Sequence, residues 1–364
     1  MFDIIIIGAG PSGATLSRLL NSKFKILVLD QRRLDLESGN GFEKSCGGLL
    51  APDAQEILAI LGLGVPKEIL VGPQIFTVRT IDLKNSIERF YQRHYINFNR
   101  ERFDRWLVSL IPETVTLKFG AALKSIKIAD DSIEIKYLLG KEEFHETTRV
   151  LIGADGANSL VRKLYFSKFK SPKKYISIQE WYKVKKAHPY FSAIFDPEVT
   201  DFYSWTIPKD DTLLIGTAIP IQDNAIDKFK LLKYKLKDYG FKFKKPVKRN
   251  GAFILRPKRI NQICLGNKRI ALIGEAAGWI SPSSAEGLSY AFRSALNIAN
   301  AINNNFENFY KYYVKYSRKL KLNILLKNLK SPAMYNSFLR KIILKSGFNS
   351  ITPINTGNKN GFSK

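Results

Sequence analysis

Cysteine and histidine are scarce: Cys46 and Cys264 are the two thiols, and His94, His145 and His188 the three imidazoles, in 364 residues. Two cysteines are too few for a disulfide-stapled secreted scaffold or a structural zinc site. Three scattered histidines argue against a histidine-built metal centre and a histidine-dependent triad, so no metal site is expected. No apolar run approaches the roughly 20 residues of a bilayer span. A strand pattern that begins at Phe2 leaves no room for a charged signal region, and the protein is expected in the cytoplasm. Acidic residues are also short, 32 Asp and Glu against 58 Lys and Arg, for a net charge of +26. Such a field favours anionic surfaces, nucleic acid or acidic lipid headgroups among them. A composition rich in Lys, Asn and Ile produces the same excess without any partner. With 45% apolar and 12% aromatic residues, the chain can bury a large core and is expected to divide into two lobes, which excludes a disordered or fibrous protein.

Residues Asp3 to Ile7 read DIIII, a β-branched run suited to a strand buried on both faces of a parallel sheet. Gly8-Ala9-Gly10-Pro11-Ser12-Gly13 follows, then a helical pattern on Ala14, Leu16, Leu19 and Leu20, then a second strand from Lys25 to Leu29 that ends in Asp30. The spacing predicts a βαβ dinucleotide unit. Gly8 permits the tight turn, Gly10 lets backbone approach a pyrophosphate, and Gly13 allows helix and strand to pack closely. The helix start, with Pro11 fixing the first turn and N–H groups free from Ser12 onward, presents donors to phosphates, and Asp30 can accept from ribose hydroxyls. This motif alone leaves NAD and FAD open.

Two later segments bear on that choice. Residues Val150 to Lys163, VLIGADGANSLVRK, place Asp155 and Gly156 in a tight turn between strand and helix. An ordinary strand-to-helix connection has the same pattern. A strand over Arg269 to Ile273 is followed by Gly274-Glu275-Ala276-Ala277-Gly278, Pro282, and a helical stretch from Ala285 to Ile302. Small residues clustered there suit backbone passing close to a flat, extended ligand.

The order of these motifs resembles the geranylgeranyl reductases and their hydroxylase-fold relatives over most of residues 1 to 305. GFEKSCGGLLAPDAQ and PQIFTVRTIDL are similar to the CbrA-type branch. The resemblance implies an α/β fold: a Rossmann-type FAD domain like those of glutathione reductase and p-hydroxybenzoate hydroxylase, an antiparallel β-sheet substrate domain, and a carboxyl-terminal helical segment. The expected boundaries are 1–75, 100–165 and 265–305 for the FAD lobe, 76–99 and 166–264 for the substrate lobe, 306–349 for basic helices, and 350–364 for a flexible tail. FAD is the implied cofactor. Asp155 and Gly156 would lie near its pyrophosphate and ribityl, and Gly274, Glu275 and Gly278 along the ribityl chain. Glu275 stands where the family usually has Asp, which keeps the acceptor and changes its reach. The helix start at Gly287 and Leu288 would offer N–H donors to reduced flavin. Arg100, in N-R-E-R-F-D-R-W-L, matches an R-x-x-F-D-x-x-L pattern near the cofactor, with Arg102 as the competing assignment. The same stretch reads as an amphipathic helix with Phe103, Trp106, Leu107 and Leu110 inward.

Lys44-Ser45-Cys46-Gly47-Gly48 resembles the family's K-x-C-G-G loop against the isoalloxazine, where paired glycines give a flat ring clearance. Cys46 could position substrate or supply a proton, although a lone cysteine is commonly a small buried apolar residue. Tyr203-Ser204-Trp205-Thr206-Ile207-Pro208 is similar to a Y-x-W-x-x-P substrate wall, so Tyr203, Trp205 and Pro208 join Cys46 as substrate contacts, and Tyr203 joins it as a catalytic candidate. Aromatic and β-branched runs at 190–195, 202–207 and 212–218 suggest strands roofing a wide apolar slot, or simply an aromatic core.

The leading expectation is hydride transfer from reduced flavin N5 to a carbon–carbon double bond of an isoprenoid or related lipid. A monooxygenase on the same fold, and a non-enzymatic flavin-binding, membrane-associated factor, stay open. With one G-x-G-x-x-G unit in the chain, NADPH visiting transiently, reduced free flavin or a small redox protein would supply electrons. After Glu307 the chain is basic and acid-free, interleaved with Leu and Ile, with a break expected at Pro332. This region suits peripheral docking on the anionic inner face of a membrane, or is a solvated appendage. Nucleic acid is not an expected partner, because no recognised reading module accompanies the charge.

Overall fold

The computed structural model of the chain describes residues 1–36, 44–185 and 188–354. The DIIII run forms β1 (Phe2–Ile7), the glycine turn leads into α1 (Pro11–Leu19), and β2 (Ile26–Asp30) completes the unit. A two-residue strand β3 (Leu49–Leu50), α2 (Pro52–Ile60) and the hairpin of β4 (Ile75–Asp82) and β5 (Ile87–Asn97) come next. The chain returns through α3 (Arg100–Ser109) to β6 (Thr116–Phe119), β7 (Ala121–Ile128), β8 (Ile133–Leu139) and β9 (Glu142–Gly153), then α4 (Leu160–Tyr165). It leaves again for β10 (Lys173–Lys183), β11 (Phe191–Phe195), β12 (Ser204–Lys209), β13 (Thr212–Pro220), α5 (Ala225–Asp238) and β14 (Pro246–Arg256). The last strand, β15 (Ile270–Leu272), precedes four helices: α6 (Leu288–Asn304), α7 (Phe309–Tyr316), α8 (Arg318–Tyr335) and α9 (Ser337–Ser346).

The smaller sheet has the order β6-β2-β1-β9-β8-β7, with β15 against β9. Strand β1 runs parallel to β2 on one side and β9 on the other, so Ile4, Ile5 and Ile6 are fully buried whichever face they point to. This two-sided burial is why the run is continuous rather than alternating. Register places the site: Ile7 pairs with Gly153, and Gly153 pairs with Leu272. The turns after β1, β9 and β15 therefore leave one sheet edge side by side.

The larger sheet runs β14-β10-β13-β12-β11-β4-β5-β3. It is antiparallel except at one seam, where β11 lies parallel to β4 from Phe191 opposite Val78 to Phe195 opposite Asp82. Those two strands arrive on separate crossings from the flavin lobe, so no tight turn imposes their direction. The larger sheet draws on residues 49–97 and 173–256, and the smaller on 2–30, 116–153 and 270–272.

Helix α8 continues through Pro332 and ends at Tyr335, a turn beyond the expected break. Its last turn tolerates the missing N–H because few helical bonds remain to be lost, and Ser331 Oγ donates to the Lys327 carbonyl (2.9 Å). Helix α9 is latched to the β4–β5 hairpin: Arg340 Nε donates to Asp82 Oδ2 (2.7 Å), and Arg89 Nε donates to the Leu344 carbonyl (2.8 Å). Of the tail expected to be flexible, Ile351 N–H donates to the Phe90 carbonyl (2.8 Å), and residues 355–364 lie outside the described residues.

Candidate flavin and substrate site

The parallel-sheet edge, the inner face of the larger sheet and helices α6, α8 and α9 enclose a cavity of about 1330 Å³. That exceeds the roughly 300–1,000 Å³ of a site for one ligand, and leaves room for a cofactor and a second molecule. Gly8, Gly10, Pro11, Ser12 and Asp30 line it from the first turn, and Cys46, Gly47, Gly48 and Arg100 from the adjoining loop and α3. Asp155, Gly156, Glu275, Gly287 and Leu288 complete the flavin end, and Tyr203 and Trp205 stand on the sheet.

Gly13, Gly274, Gly278 and Pro208, expected as contacts, do not line the cavity. Gly13 serves packing: a Cβ there would lie 1.8 Å from the Gly8 carbonyl oxygen. Gly274, at φ +56°, lets its turn approach the Ser12 hydroxyl, and Gly278 closes that turn at φ +91°. Pro208 turns its carbonyl to Asn97 Nδ2 (2.8 Å), behind the wall that Ile207 forms. The clearance at Gly47 and Gly48 is also internal. A Cβ on Gly47 would meet Ile207 at 2.7 Å, and one on Gly48 would meet the Phe98 carbonyl oxygen at 2.3 Å. These glycines seat the loop against the larger sheet, whatever they also give a flat ring.

A chain of alternating charges joins the first turn to that loop. Asp30 Oδ2 accepts from Ala9 N–H (2.7 Å) and Arg32 Nη2 (3.0 Å), and Oδ1 accepts from Arg32 N–H (2.8 Å) and Nε (3.1 Å). A carboxylate has about four acceptor directions, so in this arrangement none remains for a ribose hydroxyl and Arg32 covers the face expected to bind it. Arg32 Nη1 reaches Asp104 Oδ2 (2.8 Å), Asp104 Oδ1 accepts from Arg100 Nε (2.7 Å), and Arg100 hydrogen-bonds Cys46. Burial opposes ionisation of Asp104, but Arg100 and Arg32 outweigh it and hold the carboxyl below its ordinary value. Arg102 points away and donates to the Glu68 carbonyl at the surface (2.9 Å), which settles the choice between the two arginines as the one lining the cavity.

Burial likewise opposes the Cys46 thiolate, yet Arg100, the Gly48 N–H (3.4 Å from Sγ) and Lys44 together lower its pKa. Cys264 is 1% exposed, and burial pushes its thiol up. Tyr203 donates to the Ser284 carbonyl (2.6 Å), and burial followed by Glu286 and Cys46 drives its hydroxyl far above the ordinary range. It holds its proton and orients the turn before α6. Glu275 uses its extra length to accept from the Leu255 N–H on β14 (3.0 Å) and from Lys44 (3.3 Å).

Several lining residues carry no signal in the motifs. Glu286, next to the α6 start, accepts from the Tyr95 hydroxyl (2.8 Å) and the Ser284 hydroxyl (2.9 Å). Tyr95 comes from β5, nearly 200 positions earlier, so only the fold unites them. Asp104 was visible as the acid of R-x-x-F-D, and Arg32 as the cation two residues after the strand-ending acid.

The residues present fit FAD. Gly10 caps α1 and Gly287 caps α6, neither helix start has a side-chain cap, and both starts line the cavity, which leaves their first-turn N–H groups to a ligand there. Asp155 Oδ2 accepts from Leu160 N–H (2.7 Å), while Oδ1 is buried without a partner. A Cβ on Gly10 would find Arg32 Nη2 at 3.7 Å as its nearest neighbour, so the space beside Gly10 is cavity rather than protein. Gly10→Val should therefore fold, with its melting temperature little changed, yet purify with less than a tenth of the wild-type flavin absorbance. Gly13→Ala should instead lower the melting temperature, by about 1–3 kcal/mol of stability or more, because a backbone carbonyl must move. Alkylation by iodoacetamide should modify Cys46 and spare Cys264. The rate at Cys46 should reach its plateau below the ordinary thiol pKa of 9.0, and Arg100→Met should shift that profile upward.

A model of the FAD binding domain matches residues 1–232. Protein CbrA of Escherichia coli strain K12 is 40% identical over 347 residues, 95% of this chain and 97% of that protein. CbrA of Shigella sonnei is 41% identical over 346 residues with the same coverage. Among solved structures, a geranylgeranyl bacteriochlorophyll reductase-like protein from Thermoplasma acidophilum superposes with a TM-score of 0.79 at 18% identity, covering 95% of this chain and 90% of that one. A variant of halogenase PltM in complex with FAD gives 0.69 at 15% identity, covering 95% and 82%. The chain belongs to the FAD-binding-domain family and, within it, to the CbrA group, as an oxidoreductase-type enzyme of the p-hydroxybenzoate-hydroxylase-like fold whose cofactor is FAD.

Proposed function

We propose that this enzyme reduces carbon–carbon double bonds of an isoprenoid or related lipid. The observation that carries the reading is the apolar lining of the cavity, to which Val78, Phe191 and Ile207 of the larger sheet and Met334, Ile343 and Leu344 of α8 and α9 all contribute. Bound FAD, once reduced, supplies the hydride from N5. The protein aligns an alkene carbon in the apolar slot and excludes water around it. The second carbon needs a proton. Tyr203 holds its own, whereas a proton released from Cys46 leaves a thiolate that Arg100 and the Gly48 N–H stabilise. Cys46 is the better donor of the two.

An anionic bilayer is the docking partner in this proposal. Twelve Lys and Arg follow Glu307, and no Asp or Glu does. Helices α8 and α9 expose Leu325, Leu329, Phe338 and Ile342 among those cations. Each basic residue near anionic headgroups contributes about 1 kcal/mol. Because α9 also lines the cavity through Ile343 and Leu344, a lipid leaving the bilayer passes straight into the slot. Among the described residues no helix is long and apolar enough to cross the membrane, so the contact is peripheral. NADPH, reduced free flavin or a small redox protein brings electrons from the aqueous side.

Anaerobic incubation of the holoprotein with dithionite and a geranylgeranyl lipid should give products heavier by two hydrogens per turnover in mass spectrometry. Under air, incorporation of oxygen instead of hydrogen would establish the monooxygenase and end the reductase reading. Vesicles containing phosphatidylglycerol should float the protein at low salt and release it at high salt, and Phe338→Asp combined with Ile342→Asp should abolish flotation. Equal binding to neutral vesicles, or an unaffected double variant, would remove the membrane.

A further inference from the structure

One row across the larger sheet is unlike the rest of the slot. Register sets Asn250 opposite Gln179, Gln179 opposite Gly216, Gly216 opposite Trp205, Trp205 opposite Ala193, and Ala193 opposite Thr80. Directly paired residues share a face, and Gln179, Trp205, Ala193 and Thr80 of this row line the cavity. Gly216 has no side chain, so the Trp205 indole lies over it: a Cβ there would be 2.4 Å from Trp205 Nε1. The indole N–H is thus carried toward Gln179 on the far side of the glycine.

Asn250 Oδ1, at the end of the row, is buried without a hydrogen-bond partner, but its residue does not line the cavity. Three more such atoms belong to residues that do: Trp205 Nε1, Gln179 Oε1, and Oγ of Ser177, two positions along β10 on the same face. Their residues are 6%, 1% and 1% exposed, and all three line the cavity. Buried polar groups are nearly always paired, and a cluster of unpaired ones in a cavity wall marks where a ligand's own polar group goes. One is an obligate donor, one an acceptor, and the hydroxyl can be either. Beyond Thr80 the row ends at Arg89, which does not line the cavity and whose guanidinium donates to the Leu344 and Glu88 carbonyls. The residues of the row that do line the cavity are uncharged, so nothing there recognises an ion.

We infer that Gln179, Ser177 and Trp205 form a polar subsite that selects a substrate bearing an uncharged hydroxyl, whose oxygen accepts from Trp205 Nε1–H and whose proton goes to Gln179 Oε1. This deepens the reading of the cavity as a lipid site and rests on it for the apolar remainder. The substrate is then an amphiphilic alcohol rather than a plain hydrocarbon. A hydrocarbon would strip water from the three groups and return nothing, and each unmet group weakens binding roughly ten- to hundredfold.

The test titrates holoprotein with two matched ligand pairs and reads the shift in flavin absorbance. One pair is geranylgeraniol and the same chain lacking the hydroxyl, and the other is 2-naphthol and naphthalene. The hydroxylated member of each pair that binds should do so at least tenfold more tightly. Gln179→Leu and, separately, Ser177→Ala should bring that ratio toward one, with flavin content unchanged and hydrocarbon affinity equal or improved. Equal affinities within both pairs, a preference that survives Gln179→Leu, or no binding by any of the four overturns the subsite. Prenyl ligands that bind without regard to the hydroxyl overturn it too, and leave the isoprenoid reading standing. A naphthol preference lost in Gln179→Leu, with neither prenyl ligand bound, upholds the subsite and defeats the isoprenoid reading.

Discussion

Two carboxylates and two guanidiniums alternate between the first glycine turn and the Cys46 loop, and the cofactor end of the molecule is organised around them. Asp30, Arg32, Asp104 and Arg100 sum to zero charge, and each carboxylate touches an arginine at hydrogen-bond distance. Charges taken out of water cost several kcal/mol apiece unless they are paired this closely, so removing one member strands its neighbours. The chain also transmits geometry. Asp30 holds the Ala9 N–H and so the shape of the phosphate turn, while Arg100 at the other end sets the charge beside Cys46.

The second constraint is register. Because Ile7, Gly153 and Leu272 lie in one row, three turns drawn from the first, middle and last thirds of the chain open at one edge. An extended cofactor can then be gripped at several points by backbone, with little demand on side chains. The larger sheet faces that edge across the cavity and supplies most of the chemical variety: a broad apolar wall broken by the neutral polar group of Gln179, Ser177 and Trp205. Helices α8 and α9 cover the open side, held by Asp82 to Arg340 and by Arg256, whose guanidinium lies 4.2 Å from the Tyr335 ring and 4.1 Å from the Phe202 ring.

Local order was legible wherever a backbone need has a residue that uniquely meets it. The continuous Ile run announces a strand buried on both faces, and Gly8 and Gly13 announce a turn and a contact that no Cβ survives. The aromatic segments at 191–195, 204–209 and 212–220 are strands in the structure. Partners were less legible. Gly47 and Gly48 read as clearance for a ring, and besides lining the cavity they also spare atoms of Ile207 and Phe98. Asp30 read as a ribose acceptor, yet Arg32 fills it. In both cases the motif called for a small or acidic residue without naming its neighbour: Ile207 and Phe98 come from elsewhere in the chain, and Arg32 from two residues beyond Asp30.

The sequence by itself determined the βαβ unit, the FAD family and the acid-free carboxyl end, because each follows from residues adjacent in the chain or from composition. Only the tertiary structure decided which residues share the cavity: that Arg100 and not Arg102 faces it, that Tyr95 meets Glu286, that Gln179 stands across a bare glycine from Trp205. Those pairings depend on strand register and on crossings between two sheets, and a one-residue slip in either would turn every such side chain to the opposite face.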